Sequence, residues 1–401
     1  MEQRFFPLDS ALGLLRGAYT PQVQEAITRL SSRLSYGEAH EELGLLWKVQ
    51  ISRSSLRQVT MRHGRVADDL IREKVAELEA AAPPATAQPE QLVMGTDGAM
   101  VQLTTGEWRE VKTVSFGEFR PIWDAKQRKV VTRTEHISYF SRVETADEFS
   151  QSALVEWHRR GGENAQRVVA VQDGALWIQS FIDYHCPRAV RVIDFAHAQA
   201  YVATVGRAIY GPETDAFQQW YARMSKQLGR QPPQRTVNEL RLLQRQHLDH
   251  PEAAAIELAI RYLERRLPMI DYPHFRHEQI PIGSGNVESG HKVVMQRRMK
   301  QAGMRWAEEN LNPMLALRMA LCNGTWQTSW QAIVAKVRQE RYPNRRPQKR
   351  PKRDAIESSV VTEADCQRMM ALAKRMAKKK RRPWQDNRRL FPHRANLIHR
   401  N

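Results

Sequence analysis

Three acidic residues stand where carboxylates can do chemistry: Asp97 at a Thr-Asp-Gly step, Asp173 at a Gln-Asp-Gly step, and Glu288 just behind the glycine-rich run IGSGN. Carboxylates drawn to one point repel each other unless a cation neutralises them. Mg²⁺ or Mn²⁺ takes hard oxygen ligands and leaves positions open for water and phosphate oxygens. Two such ions stabilise both the attacking and the leaving oxygen of an in-line displacement at phosphorus. No activated protein nucleophile is then required, because water or a DNA 3′-hydroxyl serves. Taken singly, each acid has an ordinary explanation. Asp-Gly is a common turn dipeptide, and a first-turn glutamate is favoured by the helix dipole. Together, with both aspartates in or at the end of apolar strand-like runs, they direct the expectation to Asp97, Asp173 and Glu288 as metal-binding catalytic acids.

Other groups cluster around these three in the sequence. Asp194 also ends a buried-type strand, and with His197 it forms an Asp-x-x-His step, so Asp194 competes with Asp173 for the role of second acid. His291 and Lys292 follow Glu288 by one helical turn and are candidates for phosphate contact. Arg297, Arg298, Lys300 and Arg305 continue the same basic helix and its extension, where cations position a phosphate backbone without reading bases. Near the N-terminus, Arg53, Arg57 and Gln58 form a polar helix face able to reach base edges in a groove.

These residues need elements to hold them. Val23, Ala26, Ile27, Leu30 and Leu34 share one helical face, entered through Thr20 and Pro21. A second helix is expected from Tyr36 to Gly44, and Ser52 caps a third over Arg53–Met61. A short helix, a glycine-containing turn and a polar second helix make a candidate helix-turn-helix. Further charged helix runs to about Ala82, and residues 82–90 read as a linker. Strand grammar then begins: QLVMGTDGAMVQL, EWREVKTVSF and HISYFSRV, joined by turns. A capping box at Thr145 and Glu148 opens a helix carrying Phe149, Ala153 and Trp157. RVVAVQD and AVRVID are buried-type strands separated by a helix. The order β-β-β-α-β-α-β-α indicates a mixed sheet with helices on its faces. Residues 206–280 carry helical patterns only, and residues 281–325 return to the core with the Glu288 helix. The expected divisions are therefore 1–81, 82–90, 91–205, 206–280, 281–325 and a basic tail, 326–401.

Charge narrows the partners. The 401-residue chain has a formal net charge of +18, which favours polyanions. Residues 1–90 hold 11 basic and 12 acidic side chains, whereas residues 341–401 hold 19 and 5. This reads as a catalytic body with a phosphate-binding arm. The three cysteines are far apart and fit neither a disulfide framework nor a zinc site. No apolar run is long enough to span a membrane, and the N-terminal residues lack a secretion signal. A cytoplasmic, nucleoid-associated location is expected.

GTDGAMV (95–101), VQDGALWI (171–178), VIDFAHA (192–198) and IGSGNVESGHKVVMQRRMKQAGMRW (282–306) together resemble the ISKra-type transposases of bacterial insertion sequences, a group similar to the Mutator-like DDE transposases. The resemblance spans roughly residues 10–325 and continues weakly into the tail. There Arg382-Pro383-Trp384 is similar to a His-Pro-Trp-Arg element but lacks its histidine. The resemblance implies an RNase H-like α/β core interrupted by an all-helical insertion. It implies cleavage of DNA at element ends and joining of 3′ ends to target DNA, with two Mg²⁺ or Mn²⁺ ions and a homo-oligomer on DNA. It also makes Asp194-x-x-His197 an accessory element, which leaves Asp173 as the ligand. An RNase H-like nuclease or resolvase without strand transfer, and an inactive DNA-binding regulator derived from a transposase, are the rival expectations.

Overall fold

Five segments pair as one sheet in the computed structural model, which describes residues 14–341 apart from 16 and 127. The strands are β1 (Gln91–Gln102), β2 (Trp108–Asp124), β3 (Lys129–Arg142), β4 (Arg167–Gln172) and β5 (Val190–Ile193). Their order is β3-β2-β1-β4-β5. The first three strands pair antiparallel as hairpins, whereas β1–β4 and β4–β5 are parallel. Helix α4 (Ala146–Arg159) leads from β3 to β4, and α5 (Leu176–His185) leads from β4 to β5. The mixed α/β sheet expected from the element order is present.

Both sheet faces are covered, which explains why β4 reads as a near-continuous apolar run. Leu92, Met94, Val168 and Ala170 face a core that also holds Phe149, Trp157 and Phe181. Val93, Val169, Val171 and Val192 face the opposite way, onto α6 (Phe195–Tyr210) and the helices beyond it. Those are α7 (Asp215–Arg230), α8 (Pro233–Arg245), α9 (Ala253–Glu264) and α10 (Tyr272–His277), the all-helical stretch that interrupts the α/β grammar.

The chain then returns through α11 (Gly285–Gly290), a π-helical turn (His291–Gln296) and α12 (Arg297–Met299) to α13 (Leu311–Cys322) and α14 (Trp326–Arg341). Trp326, Trp330, Ile333 and Val337 of α14 are buried with Leu317 and Val66. The basic tail expected from residue 326 therefore starts with a packed helix, and the strongly basic stretch beyond 341 lies outside the described residues.

At the N-terminal side, α1 (Pro21–Ser31) and α2 (Tyr36–Trp47) precede one 29-residue helix, α3 (Arg53–Ala81), where two helices were expected. Its first turns close a small core with Ile27, Leu43 and Leu56. Its second half belongs to the main body. Gly64 abuts the Pro313 carbonyl, at 2.8 Å from where a Cβ would stand. Asp68 pairs at 2.7 Å with the fully buried Arg142 of β3. The second half of α3 thus packs against the sheet and α13.

The β2–β3 hairpin is far longer than the expected strand segments. A bulge between Phe116 and Glu118 bends it, and Phe119 is buried among the residues of the insertion-side core. Among the described residues no helix is long and apolar enough to cross a membrane.

Candidate active site

The parallel ladder between β1 and β4 ends at Gly95 opposite Val171. Continuing that register by two residues sets Asp97 level with Asp173. The next ladder pairs Gln172 with Ile193, and the Asp194 amide donates to the Gln172 carbonyl at 2.8 Å. Asp97, midway along β1, therefore shares one level with Asp173 and Asp194 at the carboxyl ends of β4 and β5, the end at which open α/β sheets bind ligands.

The three aspartates differ in what occupies their oxygens. Asp97 accepts from the Gly98 amide through Oδ1 at 2.7 Å, and its side chain is 40% exposed. Asp173 accepts from the Ala175 amide through Oδ1 at 2.9 Å, an Asx-type turn. Asp194 has both oxygens engaged. Oδ1 caps α6 by accepting from the His197 amide at 2.8 Å, and Oδ2 accepts from the Ser284 amide at 2.7 Å. Asp194 thereby ties the end of β5 to the glycine-rich turn in front of Glu288. It holds backbone, whereas Asp97 and Asp173 each keep one oxygen outside such bonds.

Glu288 stands in the first turn of α11, exposed, on a helix that crosses β1 closely. Gly290 lets the helix approach β3, since a Cβ there would lie 2.7 Å from the Tyr139 ring. Directly after Gly290 the helix widens into its π turn. Such a turn offsets the carbonyls from their usual donors, and π segments recur at functional sites. Arg318 of α13 meets them: its guanidinium donates to the carbonyls of Val293 and Val294 within the turn, and to that of Ser32. His291, the first residue of the turn, is buried with Nε2 3.4 Å from Asp97 Oδ2. Neither ring nitrogen has an aligned hydrogen-bond partner. Lys292 is exposed, so the two residues do not share the environment expected of them.

The Asp173 turn is gripped from the helical insertion. Gly174 has φ +85°, and a Cβ there would stand 2.5 Å from the Tyr262 hydroxyl. Only glycine fits. Tyr262 donates to the Asp173 carbonyl, and Arg266 donates to the Gly174 carbonyl at 2.9 Å. The guanidinium lies 3.9 Å over the Tyr262 ring, and Tyr201 stacks on the other side at 3.8 Å. His197 meets both tyrosines edge-on. Burial raises the Tyr262 pKa, so its hydroxyl stays a donor. Neither Tyr262 nor Arg266 was singled out in the sequence. They lie about ninety residues from the turn they hold, and no local pattern marks them.

Among the described residues, no three His, Cys, Asp or Glu side chains gather closely enough to hold a metal ion. The strand-level alignment of Asp97 with Asp173 still offers a donor set of hard oxygens. Beside it the buried His291 ring stands 3.4 Å from Asp97.

The basic residues divide. Arg297, Lys300 and Arg305 are exposed, as are Arg53, Arg57 and Gln58 at the start of α3. Arg298, expected among the phosphate-contacting cations, is instead 1% exposed. It donates to the Ser31 carbonyl at 2.7 Å and lies between the rings of Tyr36 and Trp306. It fastens α12 to α1 and has no surface to offer a phosphate. Neither a family model nor a curated protein sequence matches this chain.

Proposed function

We propose that this chain is a metal-dependent DNA transposase of the DDE type, with an RNase H-like core and Asp97, Asp173 and Glu288 as its acids. The observation that carries the reading is the register that levels Asp97 with Asp173 beneath the helix bearing Glu288. The strand order β3-β2-β1-β4-β5, with its antiparallel and parallel halves, is the order an RNase H-like core requires. Asp173 is preferred over Asp194 because both Asp194 oxygens already hold backbone amides.

Mg²⁺ or Mn²⁺ ions bound by Asp97, Asp173 and Glu288 would supply the polarised nucleophile and a stabilised leaving oxygen. The chain's own residues do the positioning. His291 stands 3.4 Å from the Asp97 carboxylate, Tyr262 and Arg266 fix the Asp173 turn, and Asp194 fixes the turn before Glu288. Lys292, Arg297, Lys300 and Arg305 contact phosphates near the acids. Arg53, Arg57 and Gln58 read element ends, and the tail adds sequence-independent affinity, with copies of the chain assembling on the DNA.

Arg297 and Arg298 offer a contrast. Arg297→Ala should lower the salt dependence of DNA binding by about one phosphate contact and leave folding intact. Arg298→Ala should cost about 2–4 kcal/mol of stability through a lost buried charged hydrogen bond and its packing. Urea unfolding and a binding titration against salt measure both.

The function itself is tested with a supercoiled plasmid carrying the gene's own flanking DNA, a second target plasmid and Mg²⁺. Strand cuts at the element borders and covalent joining to the target are expected. Cutting without joining would make the chain a nuclease. Binding without cutting would make it a regulator.

A further inference from the structure

Where the β2–β3 hairpin meets the helical insertion, the surface opens into a cavity of about 890 Å³. Its charged lining consists of Lys129, Lys226, Arg230 and Arg276, with no Asp or Glu among the residues that form it. Lys129 stands across the hairpin from Asp124, whereas Lys226, Arg230 and Arg276 have only cations and uncharged groups beside them in the cleft lining. Outside the cleft, Arg223 of α7 pairs with Glu239 of α8, and Arg241 of α8 pairs with Glu264 of α9. Arg276 is held in place: it donates to the Gly229 carbonyl and lies 5.3 Å from the centre of the Phe195 ring. Phe195 follows Asp194 directly, which puts one wall of the cleft next to the end of β5.

Cations gathered in one concave site repel each other, and an anion that relieves them is favoured. The cavity is far larger than one phosphate. Tyr221 and Phe195 add aromatic surface to its wall, and exposed Trp123, Lys126 and Arg128 extend the same character to the hairpin tip. Cations spaced along a groove with interleaved aromatics suit a nucleic-acid backbone.

We propose that this cleft binds the phosphate backbone of DNA, making the helical insertion and the β2–β3 hairpin a clamp beside the acids. The proposal rests on the DNA reading above. Each cation in contact with a phosphate contributes roughly 0.9 to the slope of log affinity against log salt.

Binding of the full chain to a labelled, scrambled-sequence DNA duplex is measured across a salt series. Lys226→Gln combined with Arg230→Gln is compared with Arg235→Gln combined with Arg245→Gln. The second pair removes the same charge from exposed positions on α8 outside the cleft. The cleft pair should lower the slope by about 2 and the control pair by much less. Equal effects from both pairs, or no effect from the cleft pair, would overturn the clamp while leaving the DNA reading standing. Failure of the unaltered chain to bind duplex DNA would remove the DNA reading itself, and the clamp with it. A cleft-pair loss confined to an RNA duplex of the same length would assign the groove to RNA and overturn the proposal.

Discussion

Asp97→Asn, Asp173→Asn and Glu288→Gln should each reduce Mg²⁺-dependent strand cleavage by more than roughly 1,000-fold, equivalent to about 4 kcal/mol of transition-state stabilisation. Each replacement keeps the shape of the side chain and deletes the charge that holds a cation. Duplex binding should stay within about twofold, because phosphate affinity resides in the cations. Asp194→Asn behaves differently. It keeps one carbonyl oxygen for a backbone amide and loses an acceptor for the other, so the α6 cap or the Ser284 tie loosens. A fall of about 10–100-fold is expected there, the size typical of groups that orient ligands, together with a lower Tm. Full activity in Asp173→Asn alongside complete loss in Asp194→Asn would exchange the roles of the two residues.

Acid should destabilise the fold between pH 6.5 and pH 4 through two buried histidines. Burial lowers the His63 pKa to about 4, with the Arg62 charge acting in the same direction. Burial likewise lowers the His185 pKa to about 4, among Trp157, Phe181 and Tyr184. Above pH 6.5 each imidazole is neutral in both folded and unfolded chains, and the stability is fully present. As pH falls, the unfolded chain binds protons that the folded chain refuses, so stability is lost until about pH 4. Between pH 7 and pH 4.5 the loss is roughly 2–3 kcal/mol for each histidine. His185→Phe keeps an aromatic ring in the cluster and should remove about half of the loss. Urea unfolding at the two pH values checks this. An unchanged pH dependence in the variant would show that His185 is not one of the groups responsible.

Much of the frame around the acids was legible because it depends on local rules. The capping box at Thr145 and Glu148, the Thr20 cap with Pro21, and the Ser52 cap all stand where the residue types placed them. Apolar runs ending in aspartate marked β4 and β5, since strands buried on both faces have no polar side to show. What escaped depends on distant partners. Residues 117–135 carry too many charges and a proline to read as strand, yet they form the outer half of a hairpin whose Phe119 is buried far from its own turn. Arg298 sits in a run of surface-type cations, and only carbonyl and aromatic partners from α1, α2 and the segment before α13 make its burial tolerable. The π turn is invisible in composition because Arg318, more than twenty residues on, satisfies its carbonyls. Residue 64 of α3 is a glycine because the Pro313 backbone occupies the space of a Cβ, a demand that helix propensity does not contain.

The central claim is that Asp97, Asp173 and Glu288 jointly bind a divalent cation, and Fe²⁺-generated hydroxyl radicals test it on the full chain. Fe²⁺ entering a carboxylate site in place of Mg²⁺ cuts the backbone nearby. Fragments ending near residues 97, 173 and 288 are expected, suppressed by excess Mg²⁺ and lost in Asp97→Asn. Cuts that map elsewhere, or that Asp97→Asn does not diminish, would contradict the account.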